Sequence, residues 1–365
     1  MAKKAASLKI LFLGEPDSPN TKSWIEGLRR QGCEVFLASA RSEGNRDCFP
    51  IGNIKLPPRL RILTGVKSVR SLIKKLQPDI LLAYRITSYG YLAAKTGFHP
   101  LVIAAQNEQI VYLPNPTFLR QKFLTYCAKY AIKRADLIHS WGGNITGGLK
   151  KFGAVEEKIL TLHRGIDTSR FSKSENSRPF NEKTPVFIST RTLAPEYLID
   201  RLLKAFAELV KKIPGARLEI AGSGSEEQFL KQLTVKLKIE DSVMFHGRME
   251  SDELLNLIRN SDFYVSVIET EGISSSLIEA VVCGIIPIAI DMQASRQLID
   301  NDTNGILIPS AEVGEIAEAM LSAVKQYPLL KEGSEKNAVK KNDKYDRTTN
   351  QKIFIENYLQ LLAEK

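Results

Sequence analysis

Ten consecutive residues give the clearest signal in the chain: Glu271-Gly272-Ile273-Ser274-Ser275-Ser276-Leu277-Ile278-Glu279-Ala280. The run before them, residues 262–268, is apolar and rich in β-branched and aromatic side chains, which predicts a buried strand. The residues after them predict a short helix that ends near Gly284, because glycine is favoured just past a helix C-terminus. The stretch is therefore predicted to be a strand, a tight loop and a helix, the repeating unit of an α/β sheet.

The loop has the composition of a phosphate site. Its three serines suit a helix N-terminus, where hydroxyl oxygens accept hydrogen bonds from unpaired backbone N–H groups. Those N–H groups and the positive end of the helix dipole attract a phosphate. We expect Glu271 in the loop and Glu279 in the first turns of the helix to face one crevice at the carboxyl end of the strand, where open α/β sheets bind ligands. A plainer explanation stays open, in which one glutamate is solvated and the other only suits the helix dipole.

Composition places the chain among globular proteins. Its 365 residues, 43% hydrophobic and 25% charged, are enough for two domains with a sizeable core. The longest apolar runs, such as 285–290, are far shorter than a membrane span, and the N-terminus lacks the pattern of a signal peptide. The four cysteines form no CxxC pair and no cluster with histidine, so we expect no metal site and a reducing, cytoplasmic environment.

Positive charge is concentrated in the first half of the chain. Residues 1–170 hold 27 Lys and Arg against 12 Asp and Glu, and residues 51–135 hold 14 basic residues against Asp79 and Glu108 alone. Such asymmetry favours an anionic partner, which could be a lipid headgroup surface, a polyanionic acceptor or nucleic acid. Solubility alone is an equal alternative. Nucleic acid is the weakest of the partners, because no sequence motif for binding it accompanies the charge.

The first half alternates strands and helices. A buried strand over 8–13 ends at Gly14, and a helix and a second strand follow, which predicts a parallel sheet. The dinucleotide fingerprint G-x-G-x-x-G is missing from this first turn, so we expect no nicotinamide cofactor. Basic helices are predicted over 59–76 and 118–134, the second with interleaved aromatic residues. The apolar stripe of 59–76 fits core packing best, with a membrane-surface helix as the alternative.

A second alternating series follows a polar segment. The predicted domains are residues 1–168 together with 350–365, and residues 185–349, joined by a linker over 169–184. The highly charged residues 331–350 are expected to be loose in their first part, and residues 352–362 to form a final helix. The pattern predicts an α/β protein of two doubly wound domains.

Several motifs in a fixed order resemble one known family. They are Glu271-x7-Glu279, Cys283-Gly284-x-x-Pro287, Asn304-Gly305, Ile220-Ala-Gly-Ser-Gly224, His246-Gly247-Arg248, Pro78-Asp79, Arg134-Ala-Asp136 and Gly165-Ile-Asp167-x-x-x-Phe171. Together they resemble the family-four (group 1) glycosyltransferases over essentially the whole chain. The resemblance implies the GT-B fold, with two facing Rossmann-like domains and a C-terminal helix that crosses back onto the first.

The resemblance also implies roles on the donor side. Glu271 and Arg191 would be catalytic, with Glu271 near the reacting carbon of the transferred sugar and Arg191 neutralising the leaving diphosphate. Glu279 would bind the ribose hydroxyls, and Arg248 would belong to the donor site. The backbone groups expected to bind the diphosphate are those of Gly272, Ile273, Ser274, Ser275 and Ser276. The family needs no metal and no cofactor beyond the nucleotide sugar.

The acceptor side departs further from the family pattern. The residues expected there are Gly14, Gln106, Asn107, Glu108 and Gln109, whereas relatives often have a histidine or aspartate near the last four. On the donor side, Pro195-Glu196-Tyr197 stands where many relatives have a lysine that shares the diphosphate with Arg191.

The family's chemistry defines the predicted function. It is transfer of a sugar, with retention, from a UDP- or GDP-sugar to a hydroxyl of a cell-envelope, lipid-linked or exopolysaccharide acceptor, that is, a glycan or glycolipid. The predicted location is the cytoplasm, with peripheral contact to the inner face of an anionic membrane through the basic first domain. A catalytically weakened protein that binds nucleotide sugars or regulates is the alternative, and a nucleic-acid binder is a weaker one.

Overall fold

The computed structural model of the protein describes residues 8–44, 47–105, 110–111, 117–173, 178–269 and 273–364. The strands are β1 (Lys9–Leu13), β2 (Glu34–Ser39), β3 (Cys48–Pro50), β4 (Ile80–Tyr84), β5 (Leu101–Ala105), β6 (Leu137–Ser140), β7 (Ile159–Thr161), β8 (Val186–Ser189), β9 (Arg217–Ala221), β10 (Val243–Gly247), β11 (Phe263–Ser266), β12 (Ile286–Ile290) and β13 (Ile306–Ile308). The helices are α1 (Pro19–Arg30), α2 (Pro58–Thr64), α3 (Val66–Leu76), α4 (Tyr91–Thr96), α5 (Phe118–Arg134), α6 (Gly143–Lys151), α7 (Ile199–Lys212), α8 (Glu227–Leu237), α9 (Ser251–Arg259), α10 (Ser275–Val282), α11 (Val313–Lys325), α12 (Tyr327–Tyr345) and α13 (Arg347–Ala363).

The strands form two parallel sheets. Their orders are β3-β2-β1-β4-β5-β6-β7 and β10-β9-β8-β11-β12-β13. In each sheet the chain starts in the middle, winds outward to one edge, returns and winds to the other, which is the doubly wound Rossmann order. The reversal lies between β1 and β4 in the first sheet and between β8 and β11 in the second. The predicted α/β fold with two Rossmann-like sheets is confirmed.

The central strands are apolar throughout because helices cover both faces of each sheet. All five residues of β4, β5 and β12 are buried, as parallel sheets require. Their continuous hydrophobic runs therefore predicted buried parallel strands correctly.

The chain divides into two compact units. The first contains the described residues up to Gly165 and those from Arg347 onward, and the second runs from Ile166 to Asp346. The last helix, α13, buries Phe354, Ile355 and Tyr358 in the hydrophobic core of the first unit. The C-terminal helix thus returns to the first unit, as the sequence predicts.

The charged segment before α13 is helical, and the expectation that it is loose is wrong. Three polar side chains of α12 donate to backbone carbonyls of the second unit: Ser334 to Ile285 at 3.0 Å, Asn337 to Leu298 at 2.9 Å and Lys341 to Gln297 at 2.6 Å. Leu330 and Ala338 of the same helix are buried. The helix docks mainly through hydrogen bonds, so its composition gives no apolar stripe for sequence analysis to detect.

The basic segment 59–76 is two helices, α2 and α3, and not one. They meet at Gly65, where a Cβ would lie 2.4 Å from Ile51 Cγ2 and 2.8 Å from the Arg61 carbonyl oxygen, so only glycine fits. Val69 of α3 is buried, and its apolar neighbours pack against the core of the first unit. The apolar stripe is therefore a core stripe, as the preferred interpretation predicts.

Candidate functional site

The reversal of strand order in the second sheet brings two loops together. Arg191 follows the end of β8, and Ser266 ends the adjacent strand β11, whose exit loop leads to α10. Open parallel sheets bind ligands at such a point, because the loops from neighbouring strands leave in opposite directions and open a crevice. The candidate site lies here, at the carboxyl ends of β8 and β11.

Helix α10 begins in the crevice with a serine cap. Ser274 has an extended backbone, and its hydroxyl oxygen accepts a hydrogen bond from the backbone N–H of Leu277 at 3.4 Å. Such a cap uses one of the four N–H groups that the first turn of a helix cannot pair internally. The remaining N–H groups and the helix dipole favour an anion in front of Ser274.

Arg191 is buried against this helix start by three serine hydroxyls. Its Nη1 atom donates to the hydroxyl oxygens of Ser274 at 2.6 Å and Ser276 at 3.1 Å. Its Nε and Nη2 atoms donate to the hydroxyl oxygen of Ser266 at 3.2 and 2.9 Å. The guanidinium is thus held between the end of β11 and the start of α10 by hydrogen bonds to serine hydroxyls, which orient its positive charge.

The hydrogen bonds around Arg191 leave one hydroxyl proton, that of Ser276, without a described acceptor. A hydroxyl can accept two hydrogen bonds and donate one. Ser274 accepts from Arg191 and Leu277, so its own proton goes to Ser276, whose oxygen lies 2.9 Å away. Ser276 then accepts from both Arg191 and Ser274, and its own proton finds no acceptor among the residues that the structure describes. Ser276 is half-buried and can donate that proton to a ligand oxygen.

Two glycines hold the backbone of Arg191 in position. A Cβ on Gly222 would lie 2.0 Å from the Arg191 carbonyl oxygen, and a Cβ on Gly224 would lie 2.1 Å from that of Leu193. The backbone N–H of Leu193 donates to the Ser223 carbonyl oxygen at 3.1 Å, and the Leu193 side chain is fully buried. The turn after β9 therefore needs glycine in order to approach the segment that follows β8.

Tyr197 lies beside the guanidinium. The Arg191 Cζ atom is 5.4 Å from the centre of the Tyr197 ring, a cation–π distance. The half-buried ring thus lies against the guanidinium in the Pro195-Glu196-Tyr197 turn, the place where the family resemblance leads one to expect a lysine.

Glu279 lies in the second turn of α10 and is half-buried. Its backbone carbonyl oxygen accepts from the N–H of Cys283 at 3.1 Å. Burial raises the pKa of the Cys283 thiol to about 12, and the nearby Glu279 carboxylate raises it as well. Cys283 is therefore an uncharged structural thiol, while Glu279 is on the helix that faces the crevice.

Several predicted site residues lie outside the described part of the chain. Glu271 and Gly272 are among them, and so are Gln106, Asn107, Glu108 and Gln109, so their roles stay predictions. The first described residue after Glu271 and Gly272 is Ile273, whose side chain is buried with Leu277 and Ile278. Ile273 can therefore serve a ligand only through its backbone.

Arg248 and Gly14 lie at other strand ends. Arg248 is exposed after β10, the edge strand two places from β8 in the second sheet. Gly14 follows β1 in the first unit, where a Cβ would lie 2.7 Å from the ring of Phe12. Arg248 thus follows a different strand from those that lead to Arg191 and the serines, and Gly14 belongs to the other unit.

The sequence patterns do not predict one residue of the candidate crevice and one polar group in the first unit. Ser266 lies in the run predicted to be an apolar strand, although a serine that ends such a strand is a usable signal. In the first unit, Asn20 donates to the hydroxyl of Tyr84 at 3.0 Å, beside Gly14 and at the reversal between β1 and β4. A tyrosine at the end of a buried strand was the available signal there.

His139 is a buried histidine whose role is structural. Complete burial lowers its pKa to about 3, so the imidazole is neutral at physiological pH. Its Nε2 atom lies 2.7 Å from the hydroxyl of Tyr358 in α13. The pair joins β6 to α13 and contributes no acid–base group to the crevice.

The described residues contain neither a cluster of metal ligands nor a helix that could span a membrane. They contain no group of three or more His, Cys, Asp or Glu residues placed to hold a metal ion. No helix within them is long and apolar enough to cross a membrane. The metal-independent chemistry predicted from the sequence stays a prediction.

Two family models match the sequence. The model described as Glycosyl transferases group 1 matches residues 171–342, and the model described as Glycosyl transferase 4-like matches residues 9–141. The first match includes Arg191, the serines and Glu279, and the second includes Gly14.

Curated relatives are similar over part of their length. The chain is 30% identical over 162 residues to the UDP-N-acetylglucosamine–peptide N-acetylglucosaminyltransferase GtfA subunit of Streptococcus pneumoniae, covering 44% of this chain and 31% of the relative. It is 26% identical over 213 residues to the GDP-mannose-dependent monoacylated alpha-(1-6)-phosphatidylinositol monomannoside mannosyltransferase of Corynebacterium glutamicum, covering 54% of this chain and 51% of the relative. The chain thus spans about half or less of the length of these two relatives.

A solved structure has the same fold. Anabaena HepE in complex with UDP superposes with a TM-score of 0.73 at 18% identity, over 98% of this chain and 99% of that chain. At this identity the likeness establishes the fold alone, which is GT-B.

Proposed function

Because the chain belongs to the group 1 (family-four) glycosyltransferases, we propose that it transfers a sugar from a nucleotide-diphosphate sugar to a hydroxyl group of an acceptor. The observation that best supports this is Arg191, held by serine hydroxyls at the start of α10. A fixed cation beside free helix N–H groups stabilises the negative charge that develops on a leaving diphosphate. The donor is a UDP- or GDP-sugar; the S. pneumoniae relative is named for the first nucleotide and the C. glutamicum relative for the second.

The proposed reaction retains the configuration at the sugar carbon. The bond between that carbon and the diphosphate oxygen breaks, and the acceptor oxygen forms a new bond on the same face. The proton of the acceptor hydroxyl passes to the departing diphosphate, so the products are the glycoside and the nucleoside diphosphate. No general base from the protein is required in this scheme.

Four residues have a proposed part in this reaction, three of them described in the crevice and one, Glu271, outside the described residues. Arg191 and the N–H groups of α10 stabilise the diphosphate, and Ser276 donates its remaining proton to a phosphate oxygen. Glu279 binds the ribose hydroxyls, since two carboxylate oxygens suit a pair of neighbouring hydroxyls. Glu271 contacts the transferred sugar, a role that rests on the family resemblance.

The proposed acceptor is a cell-envelope, lipid-linked or exopolysaccharide glycan. Support comes from the C. glutamicum relative, which is named for a phosphatidylinositol monomannoside acceptor. The proposed location is the cytoplasm, where nucleotide sugars are made available to such acceptors.

Turnover of nucleotide sugars by the purified chain tests the proposal. The protein is incubated with a panel of UDP-, GDP- and ADP-sugars, and the released nucleoside diphosphate is measured with and without added glycan or glycolipid. We expect one donor class to be consumed, and the Arg191→Ala variant to lose at least about 100-fold in turnover, the usual effect of removing a group that stabilises transition-state charge. Arg296→Ala is the matched control, because Arg296 is exposed in the same unit and pairs with Asp291 at the surface.

A second candidate function is donor binding without turnover. Tyr197 in place of the expected lysine favours it, because the diphosphate then loses one cation. A nucleoside diphosphate that raises the melting temperature, combined with no release from any donor, would establish this candidate and reject the transferase. Unchanged melting with every nucleotide would reject both.

A further inference from the structure

Helix α5 of the first unit has apolar side chains on two opposite faces. Cys127, Ala128, Ala131 and Ile132 are buried, and the last three belong to the hydrophobic core of the first unit. The other face exposes four apolar or aromatic side chains, called here the α5 patch: Phe118 (70% exposed), Leu119 (79%), Phe123 (44%) and Tyr126 (52%). The first face accounts for the packing of α5, so the second is free for a partner.

Lysines are interleaved with the α5 patch. Lys122, Lys129 and Lys133 lie at intervals that place them on the same outward side of the helix as Leu119 and Tyr126. The Lys122 Nζ atom lies 4.3 Å from the centre of the Phe118 ring. Residues 118–134 contain no Asp or Glu, so nothing within the helix offsets this charge.

Helix α4 extends the surface with further tyrosine and lysine. The ring of Tyr91 lies 6.2 Å from that of Tyr126 and 5.5 Å from that of Tyr130. The Lys95 Nζ atom lies 4.6 Å from the centre of the Tyr130 ring. These contacts fix the tyrosines and lysines as one surface made by α4 and α5.

We propose that the α5 patch docks the protein on a membrane surface that contains anionic phospholipid. Tyrosine and lysine have an apolar body and a polar end, which suits the boundary between acyl chains and headgroups. Phe118 and Leu119, at the exposed start of the helix, insert at this boundary, while Lys122 and Lys129 meet the headgroup phosphates. The proposal depends only on the first unit, and it adds to the proposed function a surface on which a lipid-linked acceptor is reached.

A lipid surface fits these residues better than nucleic acid does. Single-stranded nucleic acid stacks on aromatic rings, but Leu119, the most exposed residue of the patch, offers no ring. Two basic helices were candidates for membrane contact from the sequence, and the structure shows that, among the described residues, only one of them has an exposed apolar face. The apolar stripe of α3 packs in the core, whereas that of α5 includes an outward face.

Vesicle co-sedimentation of the full chain tests the proposal. Vesicles of phosphatidylcholine alone are compared with vesicles that also contain phosphatidylglycerol. We expect strong binding only to the second kind, weakened by salt. The variant Lys122→Ala/Lys129→Ala should bind about 25-fold less tightly, at about fivefold per cation. The variant Phe118→Ser/Leu119→Ser should also lose binding, because it removes the inserted apolar side chains.

The matched control is Phe229→Ser/Val235→Ser on α8 of the second unit, where both side chains are comparably exposed. It should bind vesicles as the unaltered chain does. Equal binding to both kinds of vesicle, or unchanged binding of both α5 variants, would overturn the proposal. Two other results would overturn it if the unaltered chain does not bind vesicles. One is salt-sensitive binding to single-stranded RNA that both α5 variants abolish, and the other is self-association that both α5 variants abolish.

Nucleotide binding is measured on the same variants by the shift of melting temperature. The α5 variants should keep the melting temperature of the unaltered chain and its shift with nucleotide, because α5 lies outside the donor crevice. Failure of the docking proposal is then distinct from failure of the proposed function. Failure of the docking proposal appears only in the vesicle experiment, and failure of the proposed function appears only in the experiments with nucleotide sugars.

Discussion

At the scale of single residues, Ser266 sets the direction of the Arg191 guanidinium. One hydroxyl oxygen accepts from two nitrogens of the arginine, Nε at 3.2 Å and Nη2 at 2.9 Å. An arginine side chain without such acceptors keeps several rotamers and aligns its charge with a ligand only part of the time. Ser266 is therefore a positioning residue, since it acts on the diphosphate through Arg191.

Replacing Ser266 with alanine should lower turnover more than stability. Both nitrogens lose their acceptor in a buried place, which costs about 1–3 kcal/mol. We expect kcat to fall about tenfold or more as the guanidinium turns away from the diphosphate. Steady-state kinetics with the accepted donor measure the effect. Ser261→Ala is the control: Ser261 is also buried, but its hydroxyl donates to the Leu257 carbonyl oxygen away from the crevice. Equal kcat in the two variants would contradict the role of Ser266.

Tyr197 offers a second prediction, because its ring and not its hydroxyl meets Arg191. A cation–π contact at a half-exposed site contributes about 0.5–1 kcal/mol. Tyr197→Phe should therefore keep the affinity for the nucleoside diphosphate, and Tyr197→Ala should lower it about two- to fivefold. Titration calorimetry distinguishes these results. A loss in the phenylalanine variant equal to that in the alanine variant would assign the effect to the hydroxyl instead.

Single residues of this site were predictable when they lay within one segment of chain. Ser274, Ser276 and Glu279 come from one strand-loop-helix stretch, whose spacing alone places them together. Ser266 was not predicted as part of the site, because its contact with Arg191 arises from the pairing of β8 with β11 and joins residues 75 positions apart. A serine at the end of an apolar strand was the one local signal, and it does not show that this serine meets Arg191.

At the scale of elements, the turn after β9 acts as a support for the segment after β8. Gly222 and Gly224 are needed because their backbones touch the Arg191 and Leu193 carbonyl oxygens. The motif Ile220-Ala-Gly-Ser-Gly224 was noted in the sequence for its family resemblance. In the structure this motif allows close approach between two loops, one of which carries Arg191.

Alanine at Gly222 should therefore move Arg191. The new Cβ would lie 2.0 Å from a backbone oxygen, so one of the two loops must shift. We expect a lower melting temperature and loss of the shift produced by nucleoside diphosphate, measured by differential scanning fluorimetry.

Gly314→Ala is the control for this change. Gly314 lies inside α11 with open space around it, so alanine there should stabilise the protein by about 0.5–1 kcal/mol and leave the nucleotide shift intact. A normal nucleotide shift in Gly222→Ala would show that the turn does not position Arg191.

The helices show where prediction from composition fails. Both α3 and α5 are basic helices with apolar residues, yet the apolar side chains of α3 pack on the core, whereas four of those in α5 are exposed. Whether an apolar side chain of such a helix is buried or exposed depends on the elements that pack beside the helix in the folded unit. The expectation that charged α12 is loose failed for a similar reason. Its polar side chains donate to backbone carbonyl oxygens that are distant in sequence, and composition does not reveal such partners.

At the scale of the whole molecule, the fold was predictable because each parallel connection needs a helix. Two alternating series of strands and helices therefore imply two doubly wound sheets. The return of α13 to the first unit came from the family resemblance and not from periodicity. Its cause is visible in the structure: Phe354 and Tyr358 fill the core around Trp24 and His139.

The complete burial of His139 should make the stability of the first unit depend on pH. Burial lowers the pKa of His139 to about 3 in the folded protein, whereas an unfolded histidine has a pKa near 6.5. Between these values the unfolded chain binds more protons than the folded chain, so stability rises with pH and is lost as pH falls. At pH 5 the loss from this residue is about 2 kcal/mol relative to pH 7.

Urea denaturation at pH 7 and pH 5 measures this loss for the unaltered chain and for His139→Gln. The glutamine variant should be less stable at pH 7, because it packs differently among the aromatic rings of α1 and α13, but it should lose about 2 kcal/mol less on going to pH 5. His246→Gln serves as the control, since His246 is partly exposed in the second unit and pairs with Glu219 at 2.6 Å. An equal loss in the unaltered chain and in His139→Gln would mean that His139 takes up a proton while the protein is folded, and that α13 tolerates a charged imidazole beneath it.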